Sequence, residues 1–152
     1  MAKKGKYIYE WPRPMVTVDA VVFCCPSEGK VKVLLIQRAN EPFKGLWALP
    51  GGFIEIDEEL DDAVARELAE ETGLTGIELE QIHTFGTVGR DPRGRQISVV
   101  YMGILSGQQN KIKAGVYLHY LSAIGRISVR NFRPATFVYQ GGEFFGTLLI
   151  RH

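Results

Sequence analysis

Glu67, Glu70 and Glu71 stand at positions i, i+3 and i+4. On a helix that spacing puts three carboxylates on one patch. Alone they would repel one another by roughly 0.2–0.5 kcal/mol per pair. A hard divalent cation turns that repulsion into binding, and Mg²⁺ or Mn²⁺ takes such oxygen ligands while keeping several waters or phosphate oxygens. Arg66 adjoins the set, and its rigid fork suits holding a carboxylate in one rotamer. Glu58 precedes Glu67 by nine residues, so it reaches the same site only through its long side chain or a bent loop. Gly51 and Gly52 permit close backbone approach, which makes a carbonyl at Gly52 a candidate metal ligand. Three glutamates by themselves would describe a solvated acidic helix face. The complete spacing carries the argument further.

That spacing is Gly52-x5-Glu58-x7-Arg66-Glu67-Leu68-x-Glu70-Glu71-x-Gly73-Leu74. With seven fixed letters and two apolar ones, average residue usage would produce it at a given start roughly once in 10⁹. It matches in full the signature of the Nudix hydrolases, and the sequence resembles that family from about Val16 to Gly115. Flanking segments point to a subgroup: Leu34-Leu35-Ile36-x-Arg38, then Gly45-Leu46-Trp47-Ala48-Leu49-Pro50-Gly51-Gly52, then Thr84-Phe85-Gly86 with Gly89-Arg90-Asp91-Pro92-Arg93-Gly94-Arg95. Together they resemble the ADP-ribose pyrophosphatase group. The resemblance implies a mixed β-sheet sandwiched between helices. It also implies a Mg²⁺- or Mn²⁺-dependent hydrolase of a nucleoside diphosphate linked to another group, ADP-ribose giving AMP and ribose 5-phosphate. Carried over, Glu67, Glu70 and Glu71 are metal-site carboxylates, Arg66 orients them, and Glu58 contributes to metal position or helix stability. Glu67 or a separate downstream acid serves as general base.

Contacts to the substrate are read from residue type and place. Arg38, at a strand end beside the motif loop, and Arg90 and Arg93 can neutralise diphosphate charge. Arg93 and Arg95 also fit a solvated hairpin tip. Phe85 can stack on a base or sit in the core, and Trp47 suits packing. His83, His119 and His152 have no ligand spacing.

The elements that must hold these groups follow from periodicity. Val16 to Cys25 and Val31 to Gln37 read as antiparallel strands around the turn Pro26-Ser27-Glu28-Gly29. Residues 39–50 read as a loop. Leu60, Val64 and Leu68 form an apolar stripe, which predicts a helix at about 58–72 with Asp57 as N-cap and Gly73 as the left-handed C′ residue. Leu79 to Val88 and Gln96 to Leu105 read as strands, followed by extended stretches at 116–124, 127–132, 135–139 and 144–150. The fold class is α/β or α+β with a mixed sheet and one central helix.

With 152 residues, 45% hydrophobic and 23% charged, the chain fits one ordinary domain. Its net charge of +1 gives no bulk field toward nucleic acid, and no apolar run suggests a membrane span or signal peptide. Cys24 and Cys25 are adjacent and suit packing thiols in a reducing compartment, which predicts a cytoplasmic protein. Charge is uneven: residues 1–106 hold 12 Lys/Arg against 16 Asp/Glu, and residues 107–152 hold 6 against Glu143 alone. After Gly115 the family resemblance stops, with no acid-rich run, no tryptophan and no amphipathic helix. Two explanations compete for 116–152: a native variant that adds strands or a homodimer contact, or a shifted reading frame that leaves a non-native or disordered end. Composition favours the second, and an acidic, Trp-bearing continuation in another frame of the gene is its test. Two other functions stay open: a nucleoside triphosphate pyrophosphohydrolase, and a ligand-sensing domain of a transcriptional regulator. The expected partner is a nucleotide or nucleotide-sugar.

Overall fold

The computed structural model describes residues 9–24, 32–41, 43–105, 113–120, 138–140 and 143–145. Its strands are β1 (Met15–Cys24), β2 (Lys32–Gln37), β3 (Trp47–Ala48), β4 (Gly51–Phe53), β5 (Leu79–Phe85), β6 (Gln96–Leu105), β7 (Val116–Tyr120), β8 (Val138–Gln140) and β9 (Glu143–Phe145). One helix, α1 (Leu60–Thr72), lies between β4 and β5. The main sheet is mixed and runs β3-β2-β1-β6-β5, with β4 added to β1 and β7 to β2, while β8 and β9 form a separate hairpin pair.

β1 is the spine. It pairs in parallel with β6 over its whole length, from Met15↔Gln96 to Cys24↔Leu105. Its other edge is divided: Thr17, Val18 and Asp19 pair with β4, and Phe23 and Cys24 pair with β2. The Ala20 amide bridges the division by donating to Pro50 O at 2.8 Å. β4 is thereby held beside the first half of β1, where the glycine pair of the motif begins.

Both faces of the sheet are covered, so its central strands read as continuous apolar runs. Val18, Ala20 and Val22 of β1, with Val99 and Tyr101 of β6, face the helix stripe of Val64 and Leu68. Val21 and Val100, one residue out of step, face the opposite side with Val33, Leu35, Leu49 and Phe85. This is the two-residue alternation of a pleated sheet. Leu68 is 2% exposed at the centre of the first cluster. Leu68→Ala is expected to cost about 2–5 kcal/mol, read as a lower urea midpoint with an unchanged denaturant slope.

The helix ends as its sequence indicates and begins differently. Gly73 takes the left-handed conformation at φ 80°, and its N–H donates to Ala69 O. Lys113 adds a cation at the same end, donating from Nζ to Glu70 O at 2.5 Å. The N-cap is Glu59 rather than Asp57, and no side chain caps it. Glu58 is taken up instead by Arg66 and by the Glu55 amide. The segment read as a plain loop over 39–50 contains β3, and β4 follows directly. Strands of two and three residues are too short to show periodicity. β5 ends at Phe85 rather than Val88. The stretch expected over 116–124 is described as a strand to Tyr120. The expectations for 127–132, for Cys25 and for most of the tail lie outside the described residues. Cys24 is a free thiol. Among the described residues no helix is long and apolar enough to cross a membrane.

Candidate functional site

The site forms where β4 meets α1. Each glycine of the pair makes room for a carboxylate. A Cβ on Gly52 would fall on the Glu67 carboxylate, and one on Gly51 would strike the Val18 carbonyl and crowd Asp19. Gly51 also donates its N–H to Glu71 Oε2 at 2.9 Å. The close approach expected of the Gly51-Gly52 turn is therefore a contact with carboxylates. Gly52→Ala is expected to push Glu67 out of place and to break its hydrogen bond with Arg66, read as a lower urea midpoint, with a folded CD spectrum separating this from collapse.

Arg66 is the hub of the second layer. Its Nε donates to Glu58 Oε1 at 2.6 Å and one terminal nitrogen donates to Glu58 Oε2 at 2.9 Å, a two-pronged pair. That nitrogen also donates to Phe53 O at 3.1 Å. The other donates to Glu67 Oε1 at 2.7 Å and lies 3.7 Å from Glu70 Oε2. Glu58 is held down to a pKa of about 2, chiefly by the Arg66 hydrogen bonds and next by the Glu55 amide. The sequence distance between Glu58 and Glu67 is thus bridged by Arg66.

The three helix glutamates do not share one environment. Glu71 feels the charge of Glu67, whereas Glu70 is 64% exposed at its side chain and turns toward Arg66. Among the described residues no group of three Asp, Glu, His or Cys side chains is drawn together closely enough to hold a metal ion. The donor set still fits a divalent cation of the magnesium type, which needs only one or two protein carboxylates and fills the rest with water and phosphate oxygens. Glu71 shows the field such a cation would meet: its pKa is raised to about 7, first by burial and then by the charges of Glu67 and Asp19, against the opposing pull of the Gly51 amide and Arg38.

Asp19, in β1, is the site residue that motif reading missed. Its carboxyl accepts from the Ser98 hydroxyl, and burial raises its pKa against the pull of Ser98, Arg90 and Arg93. One signal was present: a lone acid inside a β-branched, doubly buried strand needs a special partner.

A cleft of about 70 Å³ opens beside these acids, lined by Asp19, Arg38, Phe53, Arg90 and Arg93 among others. A second, of about 240 Å³, is lined by Arg38, Glu71 and Gly115. Arg38 borders both. Arg90 Nε and one terminal nitrogen are buried without a hydrogen-bond partner among the described residues. Arg93 is committed differently. It donates to both oxygens of the buried Asp91, at 2.9 and 2.7 Å, and to Gln96 Oε1 at 3.3 Å, and Gln96 donates to Thr17 Oγ1 at 3.1 Å. The Arg93 pair stiffens the cleft wall, where a solvated hairpin tip was the alternative. Arg95 donates to the Gly86 carbonyl at 2.6 Å and so closes the base of that loop. Phe85 is 6% exposed within the core, with its ring edge-on to His83, so it offers no face to either cleft. Trp47 packs on the same core and meets Tyr117 edge to face at 4.7 Å.

The NUDIX domain family model matches residues 15–117. The chain belongs to the NUDIX family. An ADP-ribose pyrophosphatase of Methanocaldococcus jannaschii is 43% identical over 103 residues, covering 67% of this chain and 56% of that protein. An ADPR responsive transcriptional repressor, NtrR, of Acinetobacter baylyi is 40% identical over 99 residues, covering 64% of this chain and 39% of that protein. The chain therefore spans about half or less of the length of these two relatives. The NUDIX domain of Shewanella oneidensis NrtR, solved with ADP ribose, superposes with a TM-score of 0.65 at 39% identity, covering 75% of this chain and 77% of that one. The mixed sheet with a single described helix is the NUDIX fold expected from the motif.

Proposed function

We propose that the domain binds a nucleoside diphosphate joined to a second group, ADP-ribose in the first instance, and hydrolyses its diphosphate. One observation carries the reading: the buried, unpartnered N–H donors of Arg90 stand in the cleft beside the carboxylate site. A buried guanidinium donor without an acceptor costs the full desolvation of that group. A phosphate oxygen is the acceptor that repays it, and the adjoining Arg38 supplies further positive charge.

In this reading Arg90 and Arg38 hold the diphosphate, and Arg93 supports the wall through Asp91. Glu67 and Glu71 would hold Mg²⁺ or Mn²⁺ with Glu70 at the rim, and Arg66, fixed by Glu58, keeps Glu67 in position. Gly52 supplies the space for that carboxylate. A bound cation would polarise a phosphoryl oxygen and make a bound water easier to deprotonate. The chain's own acids then decide where the proton goes, and Asp19, lifted by burial and lying near the charge of Glu67, is placed to receive it. AMP and ribose 5-phosphate are the products.

The test is AMP release from ADP-ribose with Mg²⁺ by the wild type and by Glu71→Gln. Loss of at least a hundredfold in the variant is expected, and equal rates would defeat the assignment. Preference for a nucleoside triphosphate would defeat the substrate.

A second reading is favoured by the resemblance to the A. baylyi repressor at similar identity. There the same pocket would sense ADP-ribose, and DNA contact would reside in the rest of the protein. Tight ADP-ribose binding with no AMP release, together with salt-dependent DNA binding, would select it.

A further inference from the structure

The cleft that holds the arginines has one aromatic wall, and it is not Phe85. Phe53 follows the glycine pair in β4 and is 47% exposed. It lines the same cleft as Arg38, Arg90 and Arg93. Neither core cluster includes it. Its ring therefore stands outside both cores and is open to the cleft.

Its placement is nonetheless fixed from two sides. Phe53 is the cross-strand partner of Thr17, so the two side chains leave the same face of the sheet. Thr17 Oγ1 is tied through Gln96 to Arg93, which puts the ring on the face that carries the arginine wall. The Phe53 carbonyl accepts from Arg66, which pins the backbone that carries the ring. A rigid aromatic surface next to a cationic groove is the arrangement that proteins use for nucleotides: charge meets phosphate and the ring face meets the base.

We propose that Phe53 is the stacking platform for the nucleobase of the bound nucleotide and thereby sets the preference for a base-bearing diphosphate over a bare one. The inference rests on the nucleoside-diphosphate reading above. It assigns the base-recognising role to the residue beside the motif glycines, where the ligand's phosphates and base can be engaged from one short strand.

The experiment uses the full chain and fluorescent etheno-adenine ADP-ribose in EDTA, with pyrophosphate as a competitor that has no base. On binding to the wild type, the etheno-adenine emission is expected to change as the base stacks. Phe53→Ala and Phe53→Leu are expected to weaken binding by about 5- to 100-fold, as loss of one base–aromatic stack does, and to abolish the emission change. Phe53→Tyr is expected to restore both. The competition constant of pyrophosphate should stay within about twofold throughout. Wild-type affinity and emission in Phe53→Ala would overturn the stacking role alone. Equal weakening of both ligands would overturn it too, because the ring would then only shape the phosphate groove. Failure of the wild type itself to bind the etheno ligand would bring down the nucleoside-diphosphate reading and this inference with it.

Discussion

Glu71→Gln is expected to make the metal-free protein more stable at pH 8 while abolishing its stabilisation by Mg²⁺ or Mn²⁺. The sign follows from proton linkage. In the folded chain the Glu71 carboxyl titrates near 7, raised from 4.5 first by burial and then by Glu67 and Asp19. Between those two values the folded state keeps a proton that the unfolded state has released. Stability therefore falls as pH rises through that window, by about 1.4 kcal/mol per pH unit at most. Residual solvent access reduces the total to about 2–3 kcal/mol. Glutamine carries no charge to bury, and its carbonyl can still accept from the Gly51 amide that now reaches Glu71 Oε2. The melting temperature of the variant should exceed that of the wild type by about 4–10 °C at pH 8 in EDTA, and the two should converge near pH 4.5. Added Mn²⁺ should then raise the wild type and leave the variant where it was. A wild type as stable as the variant at pH 8 in EDTA would show that Glu71 bears no such burden.

The parts of the site that were readable from the sequence are those that one local stretch of chain brings together. Glu58, Arg66, Glu67, Glu70 and Glu71 lie in one motif, where helical periodicity fixes their relative directions. The helix body from Leu60 and the left-handed Gly73 were legible for the same local reason. What pairs with what was not. The full-length parallel pairing of β1 with β6 joins residues some eighty positions apart, and nothing local records it. Asp19 meets Glu67 and Glu71 only because β4 lies along the first half of β1. Phe85 and Phe53 illustrate the same gap. Both are strand aromatics near the motif, and only the three-dimensional packing decides that Phe85 is core and Phe53 faces the cleft. The different surroundings of Glu67, Glu70 and Glu71 were hidden for a smaller reason. Helical spacing places three Cβ atoms on one patch, but the Gly51 amide draws Glu71 to one side and Arg66 draws Glu70 to the other.

Arg66→Lys should be a severe change even though it keeps the charge. The guanidinium makes two hydrogen bonds to Glu58, one to Glu67 and one to the Phe53 carbonyl, and these diverge from a single planar group. An ammonium is a point charge with no planar fork and cannot reproduce that fan. Lysine can keep one carboxylate, and strength decides which: the two-pronged Glu58 pair holds that carboxyl down to about 2, so the ammonium should stay with Glu58 and release Glu67. Glu67 then loses the bond that keeps it in the space left by Gly52. Loss of such an orienting partner costs about 10- to 100-fold in cation affinity or turnover. Stability should fall by about 1.5–3 kcal/mol, the worth of a hydrogen bond to a charged group, read in urea at pH 7. Glu58→Gln separates the two effects. It should lose most of the stability, because the folded-state advantage of an ionised Glu58 exists above pH 4.5 and disappears as pH falls toward 2. It should retain cation affinity within a few fold, since Arg66 still grips Glu67. If Arg66→Lys bound Mn²⁺ as tightly as the wild type, the claim that Arg66 positions Glu67 would be wrong. If Glu58→Gln lost cation affinity to the same degree as Arg66→Lys, Glu58 would belong to the cation site itself rather than to the support behind it.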